Sequence, residues 1–312
     1  MQRISVRLLR RLTARMYTGG MKERFWDHYQ SWEEAEEAWD AAAAAAANAM
    51  PLKAPDFYPS SHPIAPKEGS MRWKGFRWVI RRDGGCRLFR LLIRHPIKYI
   101  CQFFSSLVQD KAYHKEGDFF FYGVGSVEEL YALMKRDDTL LIVGFSYCQK
   151  PHECPCARFS NGCSAEIGNP VCQQCAIAKV MHALPHGKTI PIVIPTINDI
   201  GNHVLEVIDA FPHHRVLFMI TACEMALEMF GDLGNMVGIQ GVGIRLGGRT
   251  CNTMRAFALS EEGVKPGLTK VLPPAERRML DLLRFWRQER LQETGCPQVK
   301  TEGCDCCQSP LS

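Results

Sequence analysis

From residue 118 onward the chain alternates short apolar runs with helical stretches, and this alternation limits the possible folds more than any other feature. DFFFYGVG, LLIVGF, IPIVIP, RVLFMITA and MVGIQGVGIRL have the length and the β-branched or aromatic content of buried strands. Between them lie SVEELYALMKR, AIAKVMHAL, GNHVLEVIDAF and CEMALEMFGDL, which read as helices. Ser126 followed by Glu129 makes a capping box at the start of the first of these. Strands separated by helices pair in parallel, so the expected fold is α/β, a mostly parallel sheet with flanking helices. A last helix, PPAERRMLDLLRFWRQERLQE, carries Pro274 in its first turn and a stripe of Met279, Leu282, Leu283 and Trp286, expected to pack on the core.

One connection in this scheme is unusual. Between LLIVGF and IPIVIP stand Cys148, Cys154, Cys156, Cys163, Cys172 and Cys175, with His152 among them. The opening twenty residues have no apolar core of a secretory signal. A cytoplasmic location is the default, and there thiols stay reduced and clustered cysteines favour metal ligation over disulfides. Cys172-Gln-Gln-Cys175 lets two thiolates reach one metal from a single turn. Thiolates hold zinc tetrahedrally, or iron in iron–sulfur clusters. Pro151, Pro155 and Pro170 restrict the loop. Cys148, Cys154, Cys172 and Cys175 are the first ligand set, with Cys163 and Cys156 as further candidates. A metal-free redox C-x-x-C is the rival reading, and the additional thiols weigh against it.

Two cysteines outside the loop are the catalytic candidates. Cys223 follows a strand and opens a helix, where the helix dipole favours a thiolate. Cys251 follows the last long strand in IRLGGRTCNT. Both belong to the sheet edge that carries Cys148, the carboxyl edge where open α/β sheets place their sites. A buried inert cysteine is the bland alternative for each. Gly123-Val-Gly125 begins a dinucleotide-binding pattern, but Glu128 stands where its third glycine belongs.

These pieces together resemble the prokaryotic family called domain of unknown function 116. The resemblance rests on Cys148, Cys154-Pro155, Cys172 and Cys175 followed by Ala176-Ile177, Ala222-Cys223-Glu224, and Cys251-Asn252-Thr253. It covers about a third of the chain and implies metal binding through cysteines, without a reaction. In that family a third cysteine precedes the C-x-x-C by three residues. Asn169 stands there in this chain, and Cys163 is the candidate to replace it.

The flanks read differently. Residues 1–70 are expected to form a flexible N-terminal extension, part helical and part proline-rich. Its first twenty residues are arginine-rich, in the manner of a transit peptide or basic arm, with Met21 an alternative start. Trp26, Trp32 and Trp39 precede an alanine run with little to pack against. Residues 71–115 form a basic amphipathic helical segment, of which 71–108 suits peripheral contact with an anionic membrane. The cysteine-rich α/β domain spans 116–293, and 294–312 is a loose tail with cysteines of its own. Net charge of +5 is too mild to imply nucleic acid. No apolar run approaches the ~20 residues of a membrane span.

The leading expectation is a protein with a cysteine-ligated centre, iron–sulfur ahead of zinc. It would serve redox or sulfur-transfer chemistry with a redox or protein partner. The alternative is a non-catalytic zinc module that scaffolds a partner.

Overall fold

A computed structural model describes residues 24–53, 113–237, 239–265 and 267–294. The basic arm, most of the proline-rich stretch, the membrane-contact segment 71–108 and the cysteine tail lie outside these. The first part holds a 3-10 turn at Phe25–His28 and helix α1 (Trp32–Ala49). Then come β1 (His114–Glu116), β2 (Phe119–Tyr122), α2 (Val127–Met134) and β3 (Thr139–Ser146). The cysteine loop starts with a 3-10 turn at Tyr147–Gln149 and ends in α3 (Pro170–Gln173) and α4 (Ala176–Ala183). The rest is β4 (Thr189–Ile194), α5 (Ile197–Ala210), β5 (Arg215–Ala222), α6 (Glu224–Val237) and β6 (Gln240–Gly248). It closes with α7 (Met254–Ser260), β7 (Thr269–Val271) and α8 (Pro273–Thr294).

The sheet is mixed, with a parallel centre ordered β4-β3-β5-β6. β2 joins β6 antiparallel, β1 extends β2, and β7 pairs with the far end of β6, also antiparallel. β4, TIPIVI, is buried along its whole length, as a strand covered on both faces must be. Alternate residues feed two cores. Phe121, Leu141, Val143, Met219 and Val242 pack on one face with residues of α2, α4 and α8. Phe120, Ile142, Ile192, Phe218 and Ile220 pack on the other with residues of α5, α6 and α7. Gly241 pairs with both β2 and β5 at φ +153°, and a Cβ there would lie 2.1 Å from the Phe218 carbonyl oxygen, so only glycine fits.

The stripe on α8 packs as expected. Met279, Leu282, Leu283 and Trp286 are buried, and Trp286 Nε1 donates to Thr189 Oγ1 at 2.8 Å. The capping box forms with one variation. Ser126 Oγ accepts from Glu129 N, while the Glu129 carboxylate accepts from Gly125 N at 2.7 Å. That amide would face a pyrophosphate in a dinucleotide site. Here the chain's own carboxylate occupies it, and the preceding strand is antiparallel to β6.

The expected flexible extension over residues 1–70 is corrected for 24–53. Trp26, Trp32, Ala35, Trp39 and Ala46 are buried, the tryptophans in the core beneath α4 and α8. Trp32, Ala35, Trp39 and Ala46 form a helical stripe along α1, so the alanine run, read as having little to pack against, continues the stripe at Ala46. Polar ties fix the segment further. Arg287 Nη2 donates to Asp27 Oδ1 at 2.8 Å, His186 Nε2 lies 2.7 Å from Asp27 Oδ2, and Arg24 Nη1 donates to the Leu184 and Pro185 carbonyls. Among the described residues, no helix is long and apolar enough to cross a membrane.

Candidate functional site

From β3 the chain crosses to β4 on one side of the sheet, then returns to β5 on the other. Loops after β3 and β5 therefore diverge, and a crevice opens at their carboxyl ends. Three neighbouring strands each deliver a cysteine there. Cys148 lies in the turn after β3, Cys223 directly follows β5, and Cys251 follows β6. All three line one cavity, with about 640 Å³ of space between protein atoms, part of it open to solvent. Its walls are apolar, including Ile194, Ile200, Ile220, Phe230 and Phe257. Lys265, Ser260 and the thiols are among its polar lining, together with Glu261, Thr196, Thr221 and Thr269.

Part of this polar lining is organised around Cys251. Lys265 Nζ donates to its sulfur at 3.1 Å, and Ser260 Oγ lies 3.5 Å from it. Cys223 hydrogen-bonds with it. That bond, then the Lys265 charge, favours the Cys251 thiolate against the opposing effect of burial. Cys223 is held in its protonated form by the same bond and by burial. The helix-terminus effect is present, since the Ala226 amide favours a Cys223 thiolate, but it is outweighed. Burial pushes the Cys148 thiol up, against the Lys265 charge. Around this centre, Ser146 Oγ accepts from Cys148 N at 3.4 Å, and Tyr147 OH donates to the Ser260 carbonyl at 2.5 Å.

A second, smaller pocket lies on the other side of the turn at 147–150. Cys154, Cys163, Cys172 and Cys175 line it with Pro151, Pro155, Val171 and Ile177. The loop that presents them is built around Lys150, whose side chain is fully buried. Its ammonium donates to the carbonyls of Ala157 at 2.8 Å and Gly162 at 2.7 Å, and to Ser160 Oγ at 2.9 Å. Asn169 caps α3 by accepting from Val171 N and Cys172 N, which fixes the first thiol of the C-x-x-C. Cys175 starts α4. Burial pushes Cys163 up to about 12 and Cys175 up to about 11, and raises Cys172. Backbone amides oppose this at each sulfur: Ala165 at Cys163, Glu166 at Cys172, Ala178 and Ile177 at Cys175.

The eight sequence candidates thus fall into two groups. The structure brings Cys148 to Cys223 and Cys251, not to the loop thiols with which it was first grouped. It brings Cys163 to Cys154, Cys172 and Cys175. Cys156 is near enough to Cys172 to act on it electrostatically but does not line the pocket. Among the described residues, no group of three or more His, Cys, Asp or Glu side chains is arranged so that it could hold a metal ion.

Sequence reasoning missed Lys150, Arg158 and Lys265. Arg158 donates to the carbonyls of Cys148, Lys265 and Gly267, so a residue of the cysteine loop holds the segment that carries Lys265. Lys150 had a faint signal, a lone cation inside the thiol-rich loop. Lys265 had none, because its meeting with Cys251 depends on how α7 and β7 fold back.

Comparison with family models, with curated proteins and with solved structures finds no match for the chain.

Proposed function

We propose that the chain is a metal-binding protein whose centre is an iron–sulfur cluster held by Cys154, Cys163, Cys172 and Cys175. The observation that carries this reading is that four thiols from one loop line one pocket, where backbone amides favour the thiolate at three of the sulfurs against the effect of burial. Amides directed at sulfur stabilise bound thiolates and tune iron–sulfur centres. The donor set is all sulfur, which suits a soft or borderline metal. Four thiols from one loop match the ligand count of an iron–sulfur centre, as they do that of a tetrahedral zinc. When bound, the cluster would supply electron transfer. The chain's own residues hold the four thiols in place and bury Cys163, Cys172 and Cys175, while Cys154 is half-buried. The cavity holding Cys148, Cys223 and Cys251 lies beside this centre, which suits redox or sulfur-transfer work with a redox partner.

Anaerobic purification with iron, zinc and acid-labile sulfide analysis tests the reading. Brown protein with comparable iron and sulfide, both lost in Cys172→Ala and Cys175→Ala, is the expected result. Colourless protein with one zinc lost in the same variants points to the scaffold module. Metal content untouched by either substitution overturns both.

A further inference from the structure

We propose that Cys251 and Cys223 form a dithiol pair that reduces an apolar organic disulfide bound in the switch-point cavity, with Cys251 as nucleophile and Cys223 as resolving thiol. The inference deepens the redox reading above and assigns the roles within its catalytic pair.

The geometry carries it. The two cysteines come from the ends of adjacent parallel strands and line the same cavity. Two thiols so placed are a two-electron couple. They differ in surroundings. Cys251 has an ammonium 3.1 Å away, so a negative charge on its sulfur is compensated. Cys223 is half-buried at the mouth of α6 and has Cys251 as its thiol partner. The cavity that both face is walled by Ile194, Ile200, Phe230 and Phe257, which suits an apolar body attached to the disulfide.

The chemistry balances within these groups. The Cys251 thiolate attacks one sulfur of R–S–S–R′. An S–S bond forms between the Cys251 sulfur and the sulfur attached to R, the substrate S–S bond breaks, and R′S⁻ leaves. Cys223 gives its proton to R′S⁻ and becomes a thiolate. It then attacks the Cys251 sulfur, closing a Cys223–Cys251 disulfide and releasing RS⁻, which takes a proton from solvent. The substrate gains two electrons and the protein loses two. Two equivalents of a low-molecular-weight thiol reset the pair by the reverse exchange.

The test uses the full-length reduced protein and 4,4′-dithiodipyridine, an uncharged aromatic disulfide whose released thiopyridone is read by absorbance. Peptide mapping after a brief exposure should find a Cys223–Cys251 crosslink in the native chain. It should find a stable thiopyridine adduct on Cys251 in Cys223→Ser. Lys265→Gln, which removes neither thiol, should slow modification of Cys251 about tenfold or more, and Lys265→Arg should restore most of the rate. The inference is overturned if no crosslink appears, or if the adduct in Cys223→Ser forms on Cys251 no faster than on Cys148. It is equally overturned if Lys265→Gln reacts as fast as the native chain. Metal content in the same samples keeps the two proposals apart. Crosslinking that survives in a metal-free Cys172→Ala chain supports the dithiol alone. Retained metal without crosslinking sinks the dithiol and leaves the loop centre standing.

Discussion

Lys150 Nζ lies 2.7 Å from the carbonyl oxygen of Gly162, inside the cysteine loop and out of reach of water. The same ammonium holds Ala157 and Ser160, so one buried charge sets the path of the chain between Cys156 and Cys163. Lys150→Met keeps the apolar stem and removes the donors, leaving buried carbonyls unpaired. The cost should be about 3 kcal/mol. The loop should open, and the metal-to-protein ratio should fall by half or more although no thiol has been touched. Melting curves and metal analysis on the same samples check both effects. A full metal complement in this variant would mean that Lys150 does not shape the pocket.

Asp27 ties the N-terminal segment to α8. Burial raises the affinity of its carboxyl for a proton, but His186 and Arg287 outweigh burial and hold it well below the usual carboxylate range. A depressed folded value stabilises the fold above the unfolded value of about 4, and that contribution is lost as pH falls through the folded value. The native chain should therefore lose stability below about pH 4, and Asp27→Asn should lose less over the same interval. At neutral pH the variant should be weaker by about 3 kcal/mol, since Arg287 then keeps a buried charge without its partner. Melting points from pH 7 to pH 3 for both chains give the comparison. Parallel acid profiles for the two would show that the pair does not bind the segment to the helix.

This segment also marks where the sequence was legible and where it was not. The central strands follow from short continuous apolar runs, and the helices between them and the α8 stripe from a period of 3.6, all written in neighbouring residues. So was the convergence of cysteines on one sheet edge, because parallel strands put their carboxyl ends together. The docking of Trp26 and Trp39 was hidden, since it depends on a surface made by α4 and α8, far along the chain. The division of the thiols was hidden for the same reason. Cys148 and Cys154 are six residues apart, but a turn separates their pockets, and Cys148 finds its company in residues 75 and more positions away. Lys265 became visible only when β7 folded back beside β6.

His182 joins the same N-terminal segment to the cysteine loop. Its Nδ1 accepts from Phe25 N at 3.2 Å and its Nε2 lies 2.6 Å from the Ala165 carbonyl oxygen. Both contacts are satisfied by the neutral ring protonated on Nε2. Burial lowers its proton affinity, the Ala165 contact opposes this, and Arg24 adds to the lowering while Asp27 opposes it. A depressed folded value means that this contribution is complete above the unfolded value of about 6.5 and is lost as pH falls through the folded value. His182→Gln, whose amide can donate and accept at similar reach, should lose part of the native drop in melting point between pH 7.5 and pH 5.5. If the native and variant chains fall in parallel, His182 does not titrate with folding.

The last prediction separates the two sets of thiols. Cys163 lines the small pocket, where the Ala165 amide favours its thiolate against burial. Cys148 lines the large cavity, and its charged neighbours are Lys265, Cys251 and Arg158, none of which lines the small pocket. Equal substitutions should therefore have unequal results. Cys163→Ala should lose most of the metal, because a four-thiol centre with three ligands left is open to water and to loss of the metal. Cys148→Ala should keep at least about nine-tenths of it, since Cys148 does not line the small pocket and no ligand is lost. Its stability should drop by no more than about 1–2 kcal/mol, the cost of a small buried side chain. Metal-to-protein ratios after anaerobic purification, with melting points to confirm folding, decide the matter. Loss of metal in Cys148→Ala with full retention in Cys163→Ala would return Cys148 to the loop centre and remove the division drawn between the pockets.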